Sequence, residues 1–170
     1  MIEKALLLVD FEQEWIDKDS VYYVGDIAEV INKVNRLIDY CRERDYKIIF
    51  TTHVEPDSKD AFAGGSPSVE VITALNKEDG DVLIAKNKIS PFYKTNLENE
   101  LEGVKSITVC GILTNLCVRS AIQDAYDRDY DITVIKDCCV AFDAEIQKFT
   151  FKDLKDTRGE VEFIELNEYL

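Results

Sequence analysis

At 170 residues and 46% apolar content, the chain has the length of one ordinary domain and enough apolar side chains to bury a substantial core. Acidic residues outnumber basic ones by 34 to 20, and the resulting formal charge of -14 repels phosphate backbones and anionic lipid, so nucleic acid and membrane are excluded as expected partners. The five cysteines are odd in number and contain no CxxC pair, which argues against a disulfide framework and for reduced thiols.

In chain order, KALLLVD (Lys4 to Asp10) is a continuous apolar run closed by an acid, the pattern of a strand buried on both faces. Asp10 also interrupts the N-terminal apolar stretch, which is too short for a secretory core, and no other stretch is long enough to span a bilayer. A cytoplasmic location is expected. Glu12, Glu14, Asp17 and Asp19 lack calcium-loop spacing and read as a solvated surface. Ile27, Val30, Ile31, Val34, Leu37, Ile38 and Cys41 recur at helical spacing after Asp26 and predict a helix.

KIIFTT (Lys47 to Thr52) predicts the second strand, and HVEPDSKDAFAGGSPS (His53 to Ser68) is the longest irregular segment and the expected mobile loop or lid. A short helix is expected around Val69 to Leu75, then a strand DVLIA (Asp81 to Ala85), a loop, and a helix around Leu97 to Leu101. SITVC (Ser106 to Cys110), a helix from about Asn115 to Arg128, DITVI (Asp131 to Ile135), a helical stretch from about Ala144 to Leu154, and VEFI (Val161 to Ile164) complete the alternation.

Apolar strands separated by helices imply a parallel sheet covered on both sides. The expected fold is therefore α/β: a three-layer αβα, doubly wound, mostly parallel sheet of about six strands, Rossmann-like, in a single domain over residues 1–170. In such a sheet ligands bind beyond the carboxyl ends of the strands, where the strand order reverses. Asp10 ends the first strand, Lys86 follows the third, and Cys117 follows the fourth after a short connection, so three groups of complementary chemistry are expected on one rim.

Cys117 has its own logic. Val118, Ala121, Ile122 and Ala125 mark the buried face of its helix, and Thr114 or Asn115 can cap the start, which puts the thiol in the first turn. Free amides and the helix dipole there favour a thiolate, and a neighbouring ammonium would favour it further. A carboxylate nearby could accept the thiol proton and return it to a leaving group, which describes acyl transfer through a thioester with no metal needed. Taken alone, a cysteine is more often inert core, an acid after a strand is often a turn residue, and Lys88 competes with Lys86. His53 is the only histidine, so a His-rich metal site is impossible. A phosphoacceptor receiver domain would want a second acid beside Asp10 and an acceptor Asp after the third strand, where the chain has Val9 and Lys86.

Assembled, the stretches LLLVDFEQEW, GDVLIAKNKISPFYKTNLENEL and VCGILTNLCVRSAIQDAYDRDYDITVIKDCC resemble the isochorismatase-like cysteine hydrolase family over nearly the whole chain. The most specific match is GILTNLCV, Gly111 to Val118, which is similar to the family's Gly-aliphatic-x-Thr-x-x-Cys-Val nucleophile segment. The offset to Ser90 selects Lys86 over Lys88, with Pro91 standing where the family has Ala. The resemblance implies Asp10 as general base and acid, Lys86 as the stabilising charge and Cys117 as nucleophile. It also implies a cis peptide between Ile112 and Leu113, and an oxyanion hole from the backbone N–H groups of Leu113 and Cys117.

Trp15, Phe92 and Thr114 are candidate pocket residues, and Arg119 is a candidate carboxylate binder or subunit contact. Nicotinamidases of that family hold a metal with Asp-x-His and a further His after the second strand. Here FTTHVEPDSKDAF has one histidine, so no metal and no other cofactor is expected. The expected function is a metal-independent cysteine hydrolase of a small amide, carbamoyl or related C–N bond. The alternatives are an isochorismatase-type vinyl ether hydrolase, a nicotinamidase-related amidase lacking the usual metal site, and a catalytically silent binding protein. The expected partners are a small-molecule substrate and further copies of the chain, as a homodimer or higher homo-oligomer.

Overall fold

The computed structural model describes residues 2–170. Six strands, β1 (Lys4–Val9), β2 (Lys47–His53), β3 (Val82–Lys86), β4 (Ser106–Ile112), β5 (Asp131–Val140) and β6 (Glu162–Ile164), form one sheet in the order β3-β2-β1-β4-β5-β6. Every neighbouring pair is parallel. The chain winds outward from β1 to β3, returns to the middle at β4 and winds out the other way to β6. The order therefore reverses between β1 and β4, and the carboxyl ends of these two central strands are where a site belongs.

Five helices cover the sheet: α1 (Ala28–Arg42), α2 (Leu97–Glu100), α3 (Arg119–Tyr126), α4 (Ala144–Thr157) and α5 (Leu166–Tyr169). Right-handed crossovers wound in opposite directions place α1 and α3 on opposite faces. α5 lies on the α1 side, where Tyr40 and Tyr169 have ring centroids 5.6 Å apart. Leu6, Leu7, Leu8, Ile49, Phe50 and Val109 are fully buried at the centre, as a sheet packed on both faces requires.

Gly111 fixes how closely β1 and β4 approach at the rim. A Cβ there would lie 2.3 Å from the Val9 carbonyl oxygen, and its φ of +153° further restricts the position. Next to it β5 shifts register through an irregularity between Val109 and Gly111, so that Cys139 and Val140 pair with Gly111 and Ile112. This is why β5 extends to Val140, past the run DITVI that the sequence pattern marks.

Four local expectations are corrected. No helix forms over Val69 to Leu75; a 3-10 turn at Pro67–Val69 is followed by extended chain. The Ile72 amide donates to the Phe11 carbonyl at 2.9 Å and Val71 bridges Glu12 antiparallel, so these apolar residues pack against the exit of β1. The helix carrying Cys117 is not regular α-helix from Asn115; Thr114–Val118 forms a π-helical turn before α3. Neither Thr114 nor Asn115 caps it, since the N-cap position is Leu113 with no side-chain hydrogen bond. The fourth correction concerns Glu12 and Glu14, which are buried and not on a solvated surface.

Candidate active site

The strand ends bring Asp10, Lys86 and Cys117 into contact. Asp10 leaves β1 with φ +53°, a left-handed turn uncommon for a non-glycine residue. Its amide donates to the Thr51 carbonyl at 3.1 Å and to Thr51 Oγ1 at 3.2 Å, and Thr51 Oγ1 donates back to Asp10 Oδ1 at 2.6 Å. Thr51 stands opposite Val9 in the β1–β2 register, so the sheet itself delivers this clamp. It is a site residue that sequence reasoning missed. The only signal was its position at the carboxyl end of the neighbouring strand.

Lys86 is the last residue of β3, paired with His53 at the end of β2. Its Nζ lies 2.7 Å from Asp10 Oδ2 and donates to Cys117 Sγ at 3.3 Å and to the Lys88 carbonyl at 3.1 Å. The Asp10 contact is an ion pair by distance; Oδ2 has no other partner and the pair lies outside hydrogen-bond angles. Lys88, the competing lysine, is exposed and contributes a backbone carbonyl. All three side chains of the cluster are buried, with Cys117 the most accessible at 9% exposure.

Burial of this kind decides the protonation states. Desolvation pushes the Cys117 thiol up to about 12, Asp10 adds to the rise, and Lys86 opposes both. Lys86 loses by desolvation, yet Asp10 and Cys117 more than offset that loss and hold its ammonium above the usual lysine range. The helix-dipole argument for a resting thiolate is therefore outweighed. Lys86 rests as an ammonium and Cys117 as a thiol, and the thiol proton must move during any reaction. Cys41, Cys110, Cys138 and Cys139 are also free and pushed up by burial. Among the described residues Cys117 is the one thiol with an ammonium at hydrogen-bond distance.

The Ile112–Leu113 peptide is cis, at the position the resemblance implies. The pocket candidates divide. Trp15 is buried among aromatic rings, 5.1 Å from Phe62, 6.2 Å from Tyr22 and 6.3 Å from Phe142. Phe92 is buried beneath the Arg128 guanidinium, 4.5 Å from its centroid, and Thr114 donates to Gln147 Oε1 at 3.1 Å. Arg119 pairs with Asp153, so its guanidinium is already engaged. The irregular segment after β2 carries Phe62 into the Trp15 cluster. A surface cavity of about 760 Å³ lined by Glu14, Asp17, Asp19 and Asp60, among others, contains none of the three central residues.

A metal set does not fit. Among the described residues no three His, Cys, Asp or Glu side chains converge as ligands, and His53 Nε2 is engaged at 2.7 Å by Glu55 Oε1.

A doubly wound parallel sheet thus brings an acid, a lysine and a cysteine together at its switch point. The isochorismatase domain family matches residues 4–165, and the chain belongs to that family of hydrolases. It is 36% identical to a ureidoacrylate amidohydrolase RutB of Methylorubrum extorquens over 168 residues, covering 78% of this chain and 68% of that protein. It is 28% identical over 173 residues to a probable inactive nicotinamidase of Arabidopsis thaliana, covering 89% of this chain and 88% of that one. Among solved structures, a cysteine hydrolase from Pseudomonas syringae superposes with a TM-score of 0.90 at 24% identity, over 98% of this chain and 90% of the other.

Proposed function

We propose that the protein is a metal-independent cysteine amidohydrolase that cleaves a C–N bond of a small carboxamide or carbamoyl compound. The observation that carries this reading is the contact of Lys86 Nζ with both Asp10 and Cys117 in a buried cluster. Similarity to a protein named ureidoacrylate amidohydrolase supports the amide class. As a substrate carbonyl arrives, the Cys117 proton passes to Asp10 and Sγ bonds to the carbonyl carbon, leaving a tetrahedral oxyanion. The N–H groups of Leu113 and Cys117 are the proposed donors to that oxygen.

Collapse breaks the C–N bond while Asp10 returns the proton to nitrogen, releasing ammonia or an amine and leaving a thioester. Asp10 then takes a proton from water, whose oxygen bonds to the carbonyl carbon. Loss of the thiolate and its reprotonation give the acid and restore the thiol. Lys86 stays positive throughout and offsets the negative charge that moves from carboxylate to sulfur to oxygen. A thiol held neutral at rest suits this sequence, since the nucleophile forms only as Asp10 takes its proton with the substrate carbonyl in place.

The homo-oligomer belongs to the same proposal. Exposed Ile89, Tyr93 and Leu116, beside a surface cavity next to the Cys117 turn, supply an apolar face for it, and sedimentation equilibrium would read the assembly state. The activity test is ammonia release from a panel of primary carboxamides and ureido compounds by wild type and Cys117→Ala. Release lowered about 10⁴-fold or more in a normally folded Cys117→Ala is expected. Equal release from both proteins, or pyruvate from isochorismate with no ammonia from any amide, would overturn the reading.

A further inference from the structure

Two residues past Asp10, a second carboxyl group is buried in the same strand end with nothing to bind. Glu12 has no exposed surface, and among the described residues neither of its side-chain oxygens has a hydrogen-bond partner. Its backbone is fixed: the amide donates to the Asp10 carbonyl at 3.0 Å and the carbonyl accepts from Trp15 at 3.2 Å. The groups that face the carboxyl are Asp10, Glu14 and Lys86, together with the His53 backbone amide, which favours the ionised form but falls outside hydrogen-bond geometry. Desolvation first, and Asp10 second, push Glu12 up to about 10, so at neutral pH it is a carboxylic acid and not a carboxylate.

Glu12 is not alone in this. Trp15 Nε1 and His53 Nδ1 are also buried and unpartnered, and both rings lie against Phe62, at 5.1 and 5.5 Å. Native proteins rarely leave buried polar atoms unpaired, because each costs about 1–3 kcal/mol. A group of them beside a reactive cluster is explained by a ligand that pairs with them. Ser90, Thr51 and Thr114, by contrast, all have protein partners.

We propose that Glu12 is a specificity-determining residue, whose buried and unpartnered carboxyl group pairs through both of its oxygens with the adjacent acceptor and N–H of an amide-type substrate group. The inference rests on the cysteine amidohydrolase reading and narrows it to substrates bearing an unsubstituted carboxamide or ureido group. A carboxylic acid and the matching edge of a primary amide present one donor and one acceptor each, in one plane, and pair in two hydrogen bonds, with the amide's second N–H pointing away. A carboxylate ligand or an N,N-disubstituted amide satisfies only the O–H.

The test uses Cys117 as its own reporter. Rates of Cys117 alkylation at pH 8 by iodoacetamide and by 2-iodo-N,N-dimethylacetamide are read by peptide mass spectrometry, and their ratio is divided by the same ratio for glutathione. Wild type is expected to prefer iodoacetamide by tenfold or more after this correction. Glu12→Leu, which fills the site with an apolar group, should bring the ratio to that of glutathione, while Glu12→Gln, which keeps a donor and an acceptor, should retain the preference. A preference that survives in Glu12→Leu assigns discrimination to pocket size and overturns this inference alone. The same holds for fast labelling with no preference in wild type. A Cys117 that reacts with neither reagent overturns the amidohydrolase reading and this inference with it.

Discussion

Asp10 and Glu12 are both fully buried carboxyl groups on one strand end, and their surroundings treat them in opposite ways. Asp10 has an ammonium 2.7 Å away and a hydroxyl donating at 2.6 Å; Glu12 has no hydrogen-bond partner among the described residues. Burial penalises ionisation at Glu12 with no hydrogen bond to offset it, whereas Asp10 has both a counter-charge and a hydroxyl donor in contact. In the proposed function the first position serves proton transfer and the second recognition of an uncharged group. Proximity in sequence says nothing of this difference; the partners come from β2 and β3.

The comparison breaks most severely at Asp10. Asp10→Asn should reduce amide turnover by about 10³-fold, in the range for loss of a general base. The same variant should label faster with iodoacetamide at Cys117, because Asp10 raises the thiol and its removal increases the thiolate fraction at any pH below about 12. Lys86→Met removes the opposing influence and should label more slowly. Rates should move about tenfold for each pH unit by which the titration shifts. Paired rate–pH profiles check the signs, and movement of both variants in one direction would contradict the charge arrangement.

Thr51→Val tests the support beneath Asp10 with a smaller expected loss. It removes the hydroxyl that donates to Asp10 Oδ1, a bond to a charged group worth about 1.5–3 kcal/mol, so kcat should fall roughly ten- to a hundredfold. Thr51→Ser, which keeps a hydroxyl, should restore kcat. An equal loss in both variants would make Thr51 packing only.

Glu12→Gln sharpens the contrast through stability. Between the ordinary value of 4.5 and about 10, the unfolded chain has released the Glu12 proton while the folded chain keeps it, so stability falls as pH rises through that window. Removing the acid removes this penalty. The thermal stability of Glu12→Gln relative to wild type should therefore grow from pH 5 to pH 8, with a slope approaching about 1.4 kcal/mol per pH unit. A difference independent of pH would show Glu12 ionised in the folded protein.

The strand and helix alternation was legible because apolar runs and helical spacing are local properties of the chain, and the meeting of Asp10, Lys86 and Cys117 was legible because strand ends of a doubly wound sheet converge wherever the order reverses. Lys86 could be preferred to Lys88 through the family motif, and the structure gives them separate roles, ammonium and carbonyl. The segment Val69 to Leu75 misled because apolar residues that pack on a neighbouring backbone can mimic a helical stripe. Thr114 and Asn115 misled because cap preference is only a tendency, and here Gln147 from α4 takes the Thr114 hydroxyl. Of the acids after Asp10, Asp17 and Asp19 are exposed as a string of charges suggests, while Glu12 and Glu14 are buried because the chain from the loop after β2 and the stretch at Val71 closes over them.

The sequence by itself determined the parallel α/β architecture, the Asp–Lys–Cys constellation and the membership of Cys117 in a nucleophile-like segment, since each is carried by residue type and short-range spacing. Tertiary structure alone decided the charge states. Whether a carboxyl group keeps its proton or a thiol loses one depends on which dipoles and charges replace the water that burial removes, and apart from Asp10 and Glu14 on either side of Glu12 those neighbours are tens of residues away along the chain.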